Sequence, residues 1–245
     1  MELLVFVLGL CVGSFANVLI DRLPKGESVW FGRSHCDHCK KTLRWFELIP
    51  LLSFVLQTGR CRRCHKKLSI QYPLVELATG FMVVLIQGQA FEARQGLALG
   101  LIFSSLLVIF VADLKYMIIP DSMIVIGIFG VLLQGRALGG LQGSALSGLG
   151  AAVFFLALFL VTRGRGMGFG DVKLAFLLGL WLGFPRIIIA LYMAFLTGAV
   201  VGVTLILGRK KKLKSKIAFG PFLVIGAIGA YFYSGQILTW WEGIL

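Results

Sequence analysis

Histidine is nearly missing from this chain. There are three, His35, His38 and His65, all in one polar stretch. A Ser–His or Cys–His nucleophile pair therefore cannot be built elsewhere. Charge is scarce as well: Asp, Glu, Lys and Arg make up 14% of the 245 residues, against about 25% in soluble domains. Hydrophobic residues reach 58%, and mean hydropathy is +0.91. That composition excludes a disordered chain and an ordinary soluble core. Acids are the rarest charges, eleven against 24 Lys and Arg, for a net +13. In a soluble protein such an excess would suggest nucleic acid. In a membrane protein it marks cytoplasmic loops and anionic lipid head groups, so lipids are expected as partners and nucleic acid is not.

What is present is a series of apolar runs. They predict an all-α polytopic membrane protein with about eight spans, at 1–20, 73–91, 96–112, 121–138, 144–162, 172–184, 186–207 and 218–238. Phe184-Pro185-Arg186 alone separates the short sixth run from the seventh. The loops 21–72, 113–120, 163–171 and 208–217, with Lys173 just inside the sixth run, hold 21 of the 24 Lys and Arg. The other side keeps only Arg94, Arg136 and Arg186. This asymmetry predicts that those four loops are cytoplasmic and both ends external. The first run lacks a basic start and is followed by Arg22 and Lys25, the order of an anchor rather than a cleaved signal.

Residues 21–72 form the one long polar segment. It carries Cys36-Asp37-His38-Cys39 and Cys61-Arg62-Arg63-Cys64, 21 residues apart. Two CxxC pairs at this spacing predict a four-thiolate zinc site at Cys36, Cys39, Cys61 and Cys64. Disulfides and free thiols are the alternatives, the former disfavoured in a cytoplasmic loop; a flanking histidine could also replace one thiolate. Four protein ligands close the coordination sphere, so the zinc is expected to be structural. Trp45 to Leu52 is apolar enough to lie in the membrane interface, and Cys11 in the first run reads as ordinary packing.

Two acids stand where such a chain should not keep charge: Asp113 and Asp171, each at the cytoplasmic end of an apolar run. Asp113 opposes the dipole of the helix it ends. Asp171, in Gly168-Phe169-Gly170-Asp171, could equally cap the following helix. The glycines would let a substrate backbone come close. Asp121, after Pro120, reads as a helix cap or first-turn acid. Lys115 and Lys173, each two residues past an aspartate, could balance charge or snorkel. Two close carboxylates share a proton, which makes one acid and one base; the reaction class is aspartyl hydrolysis at the membrane surface.

With these residues the chain resembles the type IV prepilin peptidases, a GxGD family of intramembrane aspartyl proteases. The likeness runs from Gly13-Ser14-Phe15-Ala16-Asn17 through Asp21-Arg22-Leu23-Pro24, the twin CxxC loop and Gln71-Tyr72-Pro73-Leu74-Val75-Glu76. It continues through Asp113 with Ile119-Pro120-Asp121, Gly168 to Lys173, and Phe219-Gly220-Pro221-Phe222. The presenilin-like proteases share GxGD, but Ala112 stands where their partner motif has tyrosine. Asp37 stands where many relatives have proline.

The resemblance implies a bacterial inner-membrane peptidase with catalytic Asp113 and Asp171, supported by Gly168, Gly170 and Lys173. Its substrates would be type IV prepilins or pseudopilins, cut on the cytoplasmic side for pilus assembly or type II secretion. It further implies N-methylation of the new N-terminus with S-adenosylmethionine, an activity tied to the cytoplasmic loop. No Gly-rich fingerprint locates that cofactor; Gly13, Asn17 and Glu76 could serve it. The implied organisation is a first helix at 1–20, a zinc-binding domain at 21–72 and a peptidase core at 73–245. A peptidase without methylation, a cation-coupled transporter and a zinc-loop docking platform are the other readings.

Overall fold

The computed structural model describes residues 2–29, 31–36, 38–89, 92–135, 140–164, 166–208 and 217–242. Asp37 and Arg136, named above, lie outside the described residues, as do Arg165 and residues 209–216 of the basic loops. The described chain is helical: α1 (Glu2–Arg22), α2 (Leu52–Leu56), α3 (Gln71–Gln89), α4 (Ala93–Tyr116), α5 (Asp121–Gln134), α6 (Gly140–Val161), α7 (Phe169–Leu182), α8 (Arg186–Leu207) and α9 (Gly220–Glu242).

Each predicted apolar run is one of these helices, with α2 an addition inside the polar loop. Among the described residues five helices (α1, α4, α6, α8 and α9) are long and apolar enough to cross a membrane. Eight crossings are thus not established by the helices themselves. Both α5 and α7 have 14 residues, about 21 Å at the α-helical rise, against a hydrocarbon core of about 30 Å. Large apolar side chains stand exposed along the long helices, such as Leu3, Val153 and Ile188, as expected of surfaces solvated by lipid. Arg94 and Arg186 sit in the first turns of α4 and α8 rather than in loops.

The chain divides into two compact units, Met1–Ser104 and Ser105–Leu245, the boundary falling within α4. In the first unit α1 packs on α3. Small residues let the backbones meet: a Cβ on Gly9 would lie 2.8 Å from the Gly80 Cα, and one on Gly13 would lie 2.7 Å from the Glu76 Cα. Gly9 and Gly13 have the GxxxG spacing that suits close helix contact in lipid.

In the second unit α7 is the inner helix. Asp171, Val172, Leu174, Ala175, Leu177, Leu178, Gly179, Trp181 and Leu182 are all buried, and α7 packs against α5, α6, α8 and α9. A helix buried along most of its length against other helices is shielded from lipid, so the sixth run can be short and still separate. Its approach to α6 relies on Gly179, where a Cβ would lie 2.7 Å from the Gly148 Cα. Helix α5 ends at Gly135, whose φ of +68° closes a left-handed cap onto the Leu132 carbonyl.

Candidate active site and metal centre

Asp113 lies in the last turn of α4 and is 5% exposed; Asp171 lies in the first turn of α7 and is 6% exposed. Both belong to the second unit, and the charge of Asp113 bears on Asp171. Each carboxylate takes one backbone N–H from a helix start. Gly220 N–H donates to Asp113 Oδ2 at 2.9 Å. Gly168 N–H donates to Asp171 Oδ2 at 3.1 Å. The first N–H groups of a helix have no partner within it, so these carboxylates satisfy donors that would otherwise be orphaned. Asp113 is opposed by the dipole of α4 but faces the positive start of α9. The apparent misplacement read from its own helix is resolved by another helix.

Asp171 is not the N-cap of α7. Gly168 holds that position, and Asp171 reaches back from the third residue of the helix. Neither Gly168 nor Gly170 has a positive φ, so backbone freedom is not their reason. A Cβ on Gly170 would meet the Ile119 Cβ at 3.0 Å, and one on Gly220 would meet Asp113 Oδ2 at 2.6 Å and Ile119 Cδ1 at 3.4 Å. A Cβ on Gly168 would meet Asp171 Oδ2 at an ordinary 3.7 Å. Ile119 therefore lies against both Gly170 and Gly220. In the sequence Ile119 stands out only as part of the Ile119-Pro120-Asp121 segment; the glycine before Pro221 at a helix start is the one local sign of this contact.

Asp121 is the first residue of α5, capped by Pro120, so the first-turn reading holds and the N-cap reading does not. Lys173 pairs with it: Nζ lies 2.7 and 2.8 Å from the two Asp121 oxygens. Lys173 thus balances Asp121 rather than Asp171, two residues before it.

The four cysteines converge. Their sulfurs all lie within 4.8 Å of one another, and Cys36 Sγ is 3.9 Å from Cys64 Sγ. A tetrahedral zinc with Zn–S of about 2.3 Å needs S···S near 3.8 Å, so the cluster fits the metal. None of the four is in a disulfide. Both knuckles are built alike, 25 residues apart. Lys40 N–H donates to Cys36 O and His65 N–H to Cys61 O, each at 2.9 Å. Cys36 and Cys61 N–H reach back to Lys41 O and Lys66 O. Lys40 and His65 carry the positive φ that closes each turn. Backbone amides of Cys64 and Arg63 bring the Cys61 thiol down to about 7, while burial pushes Cys36 up to about 11. All three histidines are exposed and outside the sulfur cluster. Arg62 lies over the Phe46 ring at 5.2 Å, tying the second knuckle to the apolar segment between the pairs. In that segment Trp45, Leu52, Val55 and Leu56 are exposed.

Gly13, Asn17 and Glu76 come together where α1 meets α3. Asn17 Nδ2 donates to Tyr72 O at 3.1 Å, and Tyr72 Oη to Asp21 Oδ2 at 3.1 Å. Glu76, 7% exposed, accepts the Leu51 N–H at 2.8 Å. Leu51 has φ +57° and ψ −51°, outside the favoured regions for a leucine. The glutamate therefore pins a strained turn of the loop onto the helix pair. Cys11 is exposed on α1 instead of packed.

The family model of the bacterial peptidase A24 N-terminal domain matches residues 7–89, and that of the type IV leader peptidase family matches residues 100–203. A prepilin leader peptidase/N-methyltransferase of Aeromonas hydrophila is 34% identical, over 97% of this chain and 92% of its own. One of Bacillus subtilis is 32% identical over 97% and 96%. One of Myxococcus xanthus is 39% identical over 82% of this chain and 62% of its own. No solved structure matches. With likeness at this level along nearly the whole sequence, the chain belongs to the prepilin leader peptidase/N-methyltransferase family.

Proposed function

We propose that this protein cuts the leader from type IV prepilins or pseudopilins at the cytoplasmic face of a bacterial inner membrane. It then methylates the new N-terminal amine with S-adenosylmethionine. The observation that carries the peptidase reading is the buried pair Asp113 and Asp171, each oriented by a helix-start N–H. Hydrolysis at this pair needs four proton movements. One carboxylate takes a proton from water, whose oxygen attacks the scissile carbonyl carbon. The other carboxyl donates to the carbonyl oxygen. Collapse breaks the C–N bond: one member of the pair protonates the leaving amine while a hydroxyl of the diol returns its proton to the other. Gly220 and Gly168 hold the two carboxylates in place for these transfers.

The loop-charge asymmetry supports a cytoplasmic active site and contact with anionic lipid. Cys36, Cys39, Cys61 and Cys64 hold a structural zinc in the 21–72 domain, which is the methyltransferase-associated part; the aspartyl core lies within 73–245. The relatives are named for both activities, which favours the double function over cleavage alone, transport or docking.

Mass spectrometry of a prepilin incubated with the purified protein and S-adenosylmethionine tests the reading. The expected product lacks its leader and is heavier by one methyl group. Asp113→Asn and Asp171→Asn should each slow leader release by at least ~100-fold. Cleavage at the wild-type rate in either would overturn the assignment.

A further inference from the structure

A cavity of about 470 Å³ lies within the first unit, inside the usual range of about 300–1,000 Å³ for small-molecule sites. Its floor is one face of α1, where Ser14, Asn17 and Asp21 follow helical spacing, with Tyr72 and Glu76 from α3 beside them. The zinc loop closes it from the other side, with Cys36 and Cys61 in the wall. The metal centre thus builds part of the cavity.

The charge of the lining runs against that of the chain. Of eleven acids in a protein of net charge +13, four (Asp21, Glu27, Glu47 and Glu76) surround this one space. Three cations, Arg22, Lys25 and Lys40, also line it. Arg22 is spent on loop carbonyls, donating to Ser28, Phe31 and Gly32 at 3.0 to 3.2 Å. Phe15, Phe54 and Tyr72 add aromatic surface. An acidic, aromatic-lined space suits an organic cation with a planar group. S-adenosylmethionine has that chemistry: a sulfonium and an ammonium against one carboxylate, plus an adenine ring. We infer that this cavity is the binding site for S-adenosylmethionine, with the buried Glu76 carboxylate on its floor as a principal recognition group. The inference rests on the methyl-transfer reading above.

The test is equilibrium dialysis of the purified full-length protein with tritiated S-adenosylmethionine, followed by ultraviolet crosslinking and peptide mapping. Glu76→Gln keeps an acceptor for Leu51 N–H and removes the charge. It should weaken binding at least ~tenfold while retaining its zinc, which reports that the loop is folded. The neutral product S-adenosylhomocysteine should bind the wild-type protein more weakly than S-adenosylmethionine, and Glu76→Gln should shrink that difference. Crosslinks should map to residues 11–27, 34–57 or 72–76. Crosslinks confined to residues 105–245, or unchanged affinity in Glu76→Gln, would overturn the site while leaving methylation standing. Failure of the wild-type protein to bind S-adenosylmethionine at all, with an unmethylated pilin product, would overturn both.

Discussion

The backbone N–H of Gly220 donates to the Asp113 carboxylate at 2.9 Å, across 107 residues of sequence. The start of α9 thereby holds a charge at the end of α4. Glycine is required there for space: a methyl group would fall 2.6 Å from the same oxygen it serves.

A graded series tests this packing. Gly220→Ala should slow leader release by roughly 100-fold, the cost of displacing a reacting group by about 1 Å. Gly170→Ala, whose Cβ would press on Ile119 at 3.0 Å, should fall between that and the wild type. Gly168→Ala, with 3.7 Å to its nearest neighbour, should stay within a few-fold. Initial rates from gel shift give the order, and Gly168→Ala as the most damaging change would refute it.

The Lys173–Asp121 pair should matter little to stability. Its side chains are 36% and 70% exposed, and exposed ion pairs contribute about 0–1 kcal/mol. A double-mutant cycle with Lys173→Met and Asp121→Asn, read by thermal unfolding in detergent, should give a coupling below about 1 kcal/mol. A larger coupling would show that the pair braces α5 against α7.

The sulfur cluster should bind about one zinc per chain, measured by atomic absorption on the purified protein. Cys36→Ser and Cys61→Ser should each lose most of that metal. Chelation should expose the 21–72 loop to protease, because a segment this small has little core of its own. Full zinc content in both variants would rule the site out.

Close contact of α1 with α3 predicts a position-dependent cost. Gly13→Ala places a methyl group on Thr79 Oγ1 and 2.7 Å from the Glu76 Cα, and should destabilise by about 1–3 kcal/mol. Gly88→Ala on α3 has open space around it and should be neutral or slightly stabilising through helix propensity. Melting temperatures in one detergent compare the two; equal shifts would mean that the contact is not tight.

The local chemistry of the chain could be read directly. Eight apolar runs are eight helices because a backbone in lipid must satisfy its own hydrogen bonds. The CxxC pairs pointed to a four-sulfur metal site because ligand spacing is a short-range property. Asp113 and Asp171 were legible as misplaced charges. Tertiary structure decided what those residues meet. Lys173 pairs with Asp121, 52 residues away, a partner that no helical spacing supplies. Asp113 looked opposed by the dipole of α4 until α9 presented its positive end. Gly170 looked like a flexible point, yet it is small because Ile119 lies against it, and Gly220 is small because the Asp113 carboxylate does. Glu76 read as a residue that could serve the cofactor, and only the folded loop brought Leu51 to it. Periodicity and ligand spacing are carried by neighbours in sequence, whereas the partner of a buried charge is set by which helix ends the packing brings together.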